Sequence, residues 1–104
     1  MNYTEMVDKI VGLGLPLSKI ILFGSVARGE DTIRSDIDIG FVLPRPVTRP
    51  QRRMITRVVS EYETLESMRD INCFYATDEE FITAARWSDP CLGMREEGVV
   101  LWER

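Results

Sequence analysis

Two aspartates two residues apart, Asp36 and Asp38, stand at the head of an apolar run that ends at Leu43, and they constrain this chain more than any other feature. The run has the length and β-branched content of a strand. In a strand, side chains at i and i+2 point the same way, so Asp36 and Asp38 share one face while Ile37 and Ile39 take the other. Two carboxylates held that close repel each other unless a cation lies between them. Negatively charged oxygen ligands suit Mg²⁺ or Mn²⁺, which use one or two carboxylates together with the phosphates of a substrate. The pair therefore points to a metal nucleotide.

The segment just upstream supplies a place for phosphate. Ile20 to Phe23 is a short apolar run ending in Gly24, and Ser25 opens a helix too short to pass Gly29. A serine at a helix entry offers a hydroxyl and a backbone N–H, and a preceding glycine lets a ligand approach the main chain. Gly24 and Gly29 also have the spacing of a Walker A loop. Glu30 and Asp31 follow where that loop needs Lys and Ser or Thr, so a P-loop is excluded.

Taken together, Gly24-Ser25-x-x-Arg28-Gly29 and Ser35-Asp36-Ile37-Asp38-Ile39 resemble the signature of the DNA polymerase beta-like nucleotidyltransferase superfamily. The wording Gly-Ser-Val-Ala-Arg-Gly and the small size are similar to the minimal nucleotidyltransferases (MNT). The C-terminal segment Arg95-Glu96-Glu97-Gly98-Val99-Val100-Leu101-Trp102-Glu103 extends the likeness.

The resemblance implies a polymerase beta-like fold, ATP as substrate and two Mg²⁺ (or Mn²⁺) ions held by three acidic side chains. Carried over residue by residue, Gly24, Ser25, Arg28 and Ser35 would bind nucleotide, and Asp36 and Asp38 would hold metal and serve catalysis. The third acid belongs on a neighbouring strand. Asp70 is the candidate, because it opens the apolar run Ile71 to Tyr75. The implied reaction moves a nucleoside monophosphate, AMP from ATP, onto a hydroxyl of a partner. In an MNT antitoxin that hydroxyl belongs to a tyrosine of a helical HEPN-type ribonuclease. Two alternatives are a catalytically weak nucleotide- or partner-binding module, and a small-molecule transferase of the aminoglycoside type completed by another subunit.

The rest of the chain agrees with one small catalytic domain over residues 1–104. That length supports a single core and leaves no room for a second substrate domain. Histidine is absent, so imidazole bases and His zinc sites are excluded and carboxylates must do any acid–base work. Cys73 and Cys91 lack metal-ligand spacing and read as reduced thiols. The net charge of -4, without a sustained basic face, does not point to nucleic acid. No signal-like start or membrane-length apolar run is present, so a cytoplasmic protein is expected, alone or as a homo- or hetero-oligomer.

Periodicity predicts helices over Thr4 to Leu13, Gln51 to Met68 and Asp78 to about Trp87, with one further turn over Leu92 to Glu97. Met54, Ile55, Val58, Val59, Tyr62 and Leu65 form the stripe of the second helix. Strands are predicted over Lys19 to Phe23, Asp36 to Leu43, Asp70 to Tyr75 and Gly98 to Glu103. Thr77 and Glu80 have capping-box spacing. Pro44 to Arg53, with three prolines and four arginines, reads as a solvated linker, or else as a basic flap or docking loop. The fold class that follows is α/β, an α+β sandwich with a small mixed sheet and helices packed on one face, the aspartates lying on the open face.

Overall fold

The apolar runs form four strands, β1 (Lys19–Phe23), β2 (Ile37–Leu43), β3 (Ile71–Thr77) and β4 (Val99–Glu103). The helices are α1 (Thr4–Val11), α2 (Gly24–Arg28), α3 (Arg49–Tyr62), α4 (Asp78–Thr83) and α5 (Pro90–Glu97). The computed structural model describes residues 2–32, 35–63, 69–85 and 89–104. Leu65, Met68 and Trp87, placed in helices by periodicity, lie outside the described residues.

The strands make one sheet in the order β3-β2-β1-β4. β1 runs antiparallel to both neighbours, and β2 runs parallel to β3. A parallel pair needs a crossover, and α3 provides it between β2 and β3.

Strand alternation divides the core in two. Ile20, Leu22, Ile37, Ile39, Phe41 and Leu43 face α1 and α3, meeting Met6, Ile10, Ile55 and Val59. Ile21, Phe23 and Val42 face the opposite way and pack with Met94 of α5, flanked by Phe74 and Phe81. Gly40 is the hole that receives Met94: a Cβ there would collide with the Met94 thioether. Arg95 ties α5 to α4 by donating to the carbonyls of Phe81, Ile82 and Ala84 at 3.1, 2.6 and 2.6 Å, which satisfies the open C-terminal end of α4. The mixed sheet is as expected, but helices lie on both faces. On the second face, at the head of β2, Asp36 remains exposed and Asp38 half-buried.

Two proline segments behave differently from their reading as breaks. Pro50 sits in the first turn of α3, where its missing N–H has no helical partner to lose, so the helix begins at Arg49 inside the supposed linker. Thr48 and Gln51 close a capping box there, at 3.0 and 3.3 Å. Pro90 likewise opens α5, with the Asp89 carboxylate accepting from Cys91 N–H at 2.8 Å, and yields an eight-residue helix instead of one turn. The Thr77–Glu80 capping box is present as its spacing predicts. Met54, placed in the apolar stripe, is 39% exposed, because the buried line of α3 runs through Ile55, Val59 and Tyr62.

Candidate functional site

The site begins where β1 turns into α2. Phe23 is extended and buried, and the next residue, Gly24, has a φ of 77°, a left-handed conformation that disfavours any side chain. The register places Phe23 opposite Asp38, so this turn lies against the second aspartate. A Cβ on Gly24 would run into the Asp38 carboxylate. Glycine is thus required twice, for the backbone and for the space. Ser25 follows on α2, half-buried, and the helix stops at Gly29, whose φ of 71° is the common left-handed end.

Asp36 and Asp38 share a face as the strand period demands, the first exposed and the second half-buried. What joins them is Asn72. The parallel register sets Asp38 opposite Asn72. The Asn72 amide donates to Asp38 Oδ1 at 3.1 Å and to Asp36 Oδ2 at 3.3 Å. One neutral amide therefore binds both carboxylates and eases their repulsion.

Asp70, the expected third carboxylate, stands immediately before β3, exposed and two residues ahead of Asn72, so strand alternation gives the two the same face. β3 starts at Ile71, one residue later than its apolar run suggests, and the register pairs Ile37 with Ile71. Asp70 lies before the first paired residue and enters the sheet through its backbone, its carbonyl accepting from Ile37 N–H at 2.9 Å. The strand position that reaches Asp38 belongs to Asn72. Among the described residues, no three His, Cys, Asp or Glu side chains are grouped to hold a metal ion. Two carboxylates, an amide and a glycine cradle fit one divalent cation beside a triphosphate.

The remaining predicted residues frame the site. Arg28 is engaged by Glu30 at 3.3 Å and by Glu97 of α5 at 3.1 Å, and these acids hold its guanidinium all the more firmly charged. It thereby fastens α2 to α5. Ser35 spends its polar groups within the loop: its hydroxyl accepts from Thr32 N–H at 2.9 Å, and its carbonyl accepts from Arg69 Nε at 2.8 Å. Arg69 also reaches Asp31 at 3.1 Å and the Thr32 carbonyl at 3.2 Å, so it clamps the loop that delivers Asp36. Arg69 and Asn72 were both missed by sequence reading. Asn72 was detectable in principle as the second residue of its strand, the place Asp38 holds in β2; Arg69 carried no signal, because its partners are 34 to 38 positions away.

A glycine turn against paired strand aspartates, on a sheet of this order, defines a phosphate-handling transferase architecture. The chain belongs to the nucleotidyltransferase domain family, whose model matches residues 5–86. Its fold is shared with a toxin–antitoxin complex with AMP-PNP, at 19% identity over 99% of this chain and 75% of that one, with a TM-score of 0.68. The MntA–HpeT toxin–antitoxin, in a mutant form, aligns at 17% identity over 100% of this chain and 75% of that one, with a TM-score of 0.71. A complex of tri-AMPylated Shewanella oneidensis HEPN toxin with MNT antitoxin aligns at 19% identity, covering 97% and 70%, with a TM-score of 0.60. No curated protein sequence matches the chain at a significant level.

Proposed function

We propose that this chain is an MNT-type antitoxin that moves AMP from ATP onto a tyrosine hydroxyl of a HEPN-type helical partner. The observation that carries the reading is the packing of Gly24 against the Asp38 carboxylate, which leaves a backbone able to approach phosphate beside the Asp38 oxygens. Family membership supports nucleotidyl transfer. The adenylyl group and the protein acceptor are suggested by the solved complexes that share the fold, with AMP-PNP in one and an AMPylated toxin in another.

In this reading Gly24 and Ser25 receive the triphosphate, and Asp36 and Asp38 hold a divalent ion. When bound, that ion neutralises phosphate charge and lowers the barrier to displacement at the α-phosphorus. The acceptor oxygen bonds to the α-phosphorus as the bond to the bridging oxygen breaks and pyrophosphate departs. An aspartate of the pair takes the hydroxyl proton. Arg28 and Ser35 act as positioning residues, one on α2 and one on the loop before β2. The acceptor pocket is left for the partner to complete, since Asp36 is exposed and Asp38 only half-buried.

The test is reconstitution with a HEPN-type protein, ATP and Mg²⁺, read by mass spectrometry for adenylyl-tyrosine. The product is expected with wild type and absent with Asp36→Asn/Asp38→Asn. Equal transfer by the double variant would sink the reading. A second reading, a nucleotide- or partner-binding module, is favoured by the finding that no three acidic, His or Cys side chains group to hold a metal ion among the described residues. It predicts ATP binding and partner capture without any adenylyl product.

A further inference from the structure

The nucleotide site uses none of the arginines of α3. Because that helix begins at Arg49, residues Arg49, Arg53 and Arg57 follow one another at intervals of four, each about 6 Å further along the axis. Arg52 lies beside them, one turn after Arg49. All four are exposed, on the side of α3 away from Ile55, Val59 and Tyr62. With Thr56 and Ser60 they line an open cavity of about 490 Å³. The buried line of α3 packs under Ile37 and Ile39, so this basic face lies across the sheet from Asp36 and Asp38. Reading Pro44 to Arg53 as a linker hides the row, since only a helix aligns it.

The arrangement works against the helix that carries it. Like charges four residues apart repel, and cations in a first turn face the positive end of the helix dipole. The first turn of α3 holds no acid to relieve this. Among the described residues no carboxylate forms an ion pair with Arg49, Arg52, Arg53 or Arg57. Arg52 rests on the Tyr75 ring at 5.0 Å, which fixes its position and leaves its charge in place. The Thr56 and Ser60 hydroxyls donate to the carbonyls of Arg52 and Thr56 at 2.8 Å, so the guanidinium groups give the cavity its character. Local rules broken without local compensation mark a surface kept for a ligand.

We propose that the arginine face of α3 binds the phosphodiester backbone of a nucleic-acid strand. Guanidinium groups pair bidentately with phosphate, and a row of them follows a repeating anion better than a single charge does. A protein partner fits less well: interface cores are depleted of charge and built on aromatic or aliphatic anchors, and none lines this cavity. The chain's net charge of -4 does not prevent contact, because charges beyond about 8 Å are screened at physiological salt.

The test is fluorescence anisotropy of the full chain with labelled, mixed-sequence single-stranded RNA and DNA oligonucleotides. Both are expected to bind, and four phosphate contacts imply roughly 50-fold weaker binding on going from about 50 to about 200 mM salt. Arg49→Gln/Arg53→Gln/Arg57→Gln should bind at least about tenfold more weakly with a shallower salt dependence, while the corresponding triple Lys variant keeps most of the affinity. Absence of salt-dependent binding by the wild type, or equal binding by the Gln variant, would overturn the inference. Polyglutamate bound as tightly as the oligonucleotides would replace nucleic acid with an acidic protein partner. Preference for RNA over DNA beyond about tenfold would overturn a contact made to the backbone alone. The Gln variant should keep the melting temperature of wild type and its rise with ATP and Mg²⁺. Loss of that rise would assign these arginines to the nucleotide site instead, whereas a rise without oligonucleotide binding by the wild type would remove the inference and leave the nucleotide site standing.

Discussion

Asp38 shows how much of a residue's role lies in its neighbours. Its face follows from strand alternation, but the glycine on one side and the amide on the other come from two different strands. The cysteines make the complementary case, with environments set wholly by packing. Burial pushes the Cys73 thiol up to about 11, opposed by a hydrogen bond from the Tyr75 side and assisted by the Glu63 charge. Burial likewise lifts Cys91 to about 11, with Asp89 adding to the shift. An unperturbed thiol titrates near pH 8.5, so at pH 8 the thiolate fraction of either is lower by roughly two orders of magnitude. Iodoacetamide at pH 8 should therefore label native protein about 100-fold more slowly than protein unfolded in urea. Because both folded-state values are raised, their contribution to stability is complete below the unfolded-state value. It is lost as pH rises toward 11. Native labelling as fast as unfolded labelling would contradict the burial of these groups.

Helix starts were the most misread elements, and the reason is specific to proline. Proline breaks a helix interior, yet in the first turn it costs nothing, and Pro50 and Pro90 both occupy that turn. A capping signal accompanies each, Thr48 with Gln51 and Asp89 with Cys91 N–H. Thr48→Ala should lower stability by about 1 kcal/mol, measured as a shifted urea midpoint with unchanged slope. Thr48→Ser should restore most of the loss. No change in the midpoint would mean that the cap of α3 adds nothing beyond packing of its buried line. The strands were legible to within a residue or two, since period-2 alternation and apolar runs act locally. The register of β3 mattered most: pairing Ile37 with Ile71 sets Asn72 beside Asp38.

For the molecule as a whole, ligand linkage offers a check on the site that does not depend on turnover. A ligand that binds only the folded chain stabilises it by about 2.7 kcal/mol at 100 times its Kd. For a domain of this size that raises Tm by roughly 10 °C or more. Such a rise is expected with ATP and Mg²⁺, and it should vanish in Gly24→Ala, where the turn loses its left-handed residue and the Cβ intrudes on Asp38. A full rise in that variant would place the phosphates elsewhere. No helix among the described residues is long and apolar enough to cross a membrane.

By itself the amino-acid sequence determined the local features: strand alternation that puts Asp36 and Asp38 together, the glycine-bounded turn, the capping boxes, and a motif specific enough to reach the family. These depend on residues within a few positions of one another. Tertiary structure alone decided that Asn72 stands beside the aspartates, that Arg69 holds their loop, that Arg28 is committed to Glu30 and Glu97, and that helices cover both faces. Those outcomes depend on register and crossover between segments separated by tens of residues, where a shift of one position turns every side chain of a strand to the other face.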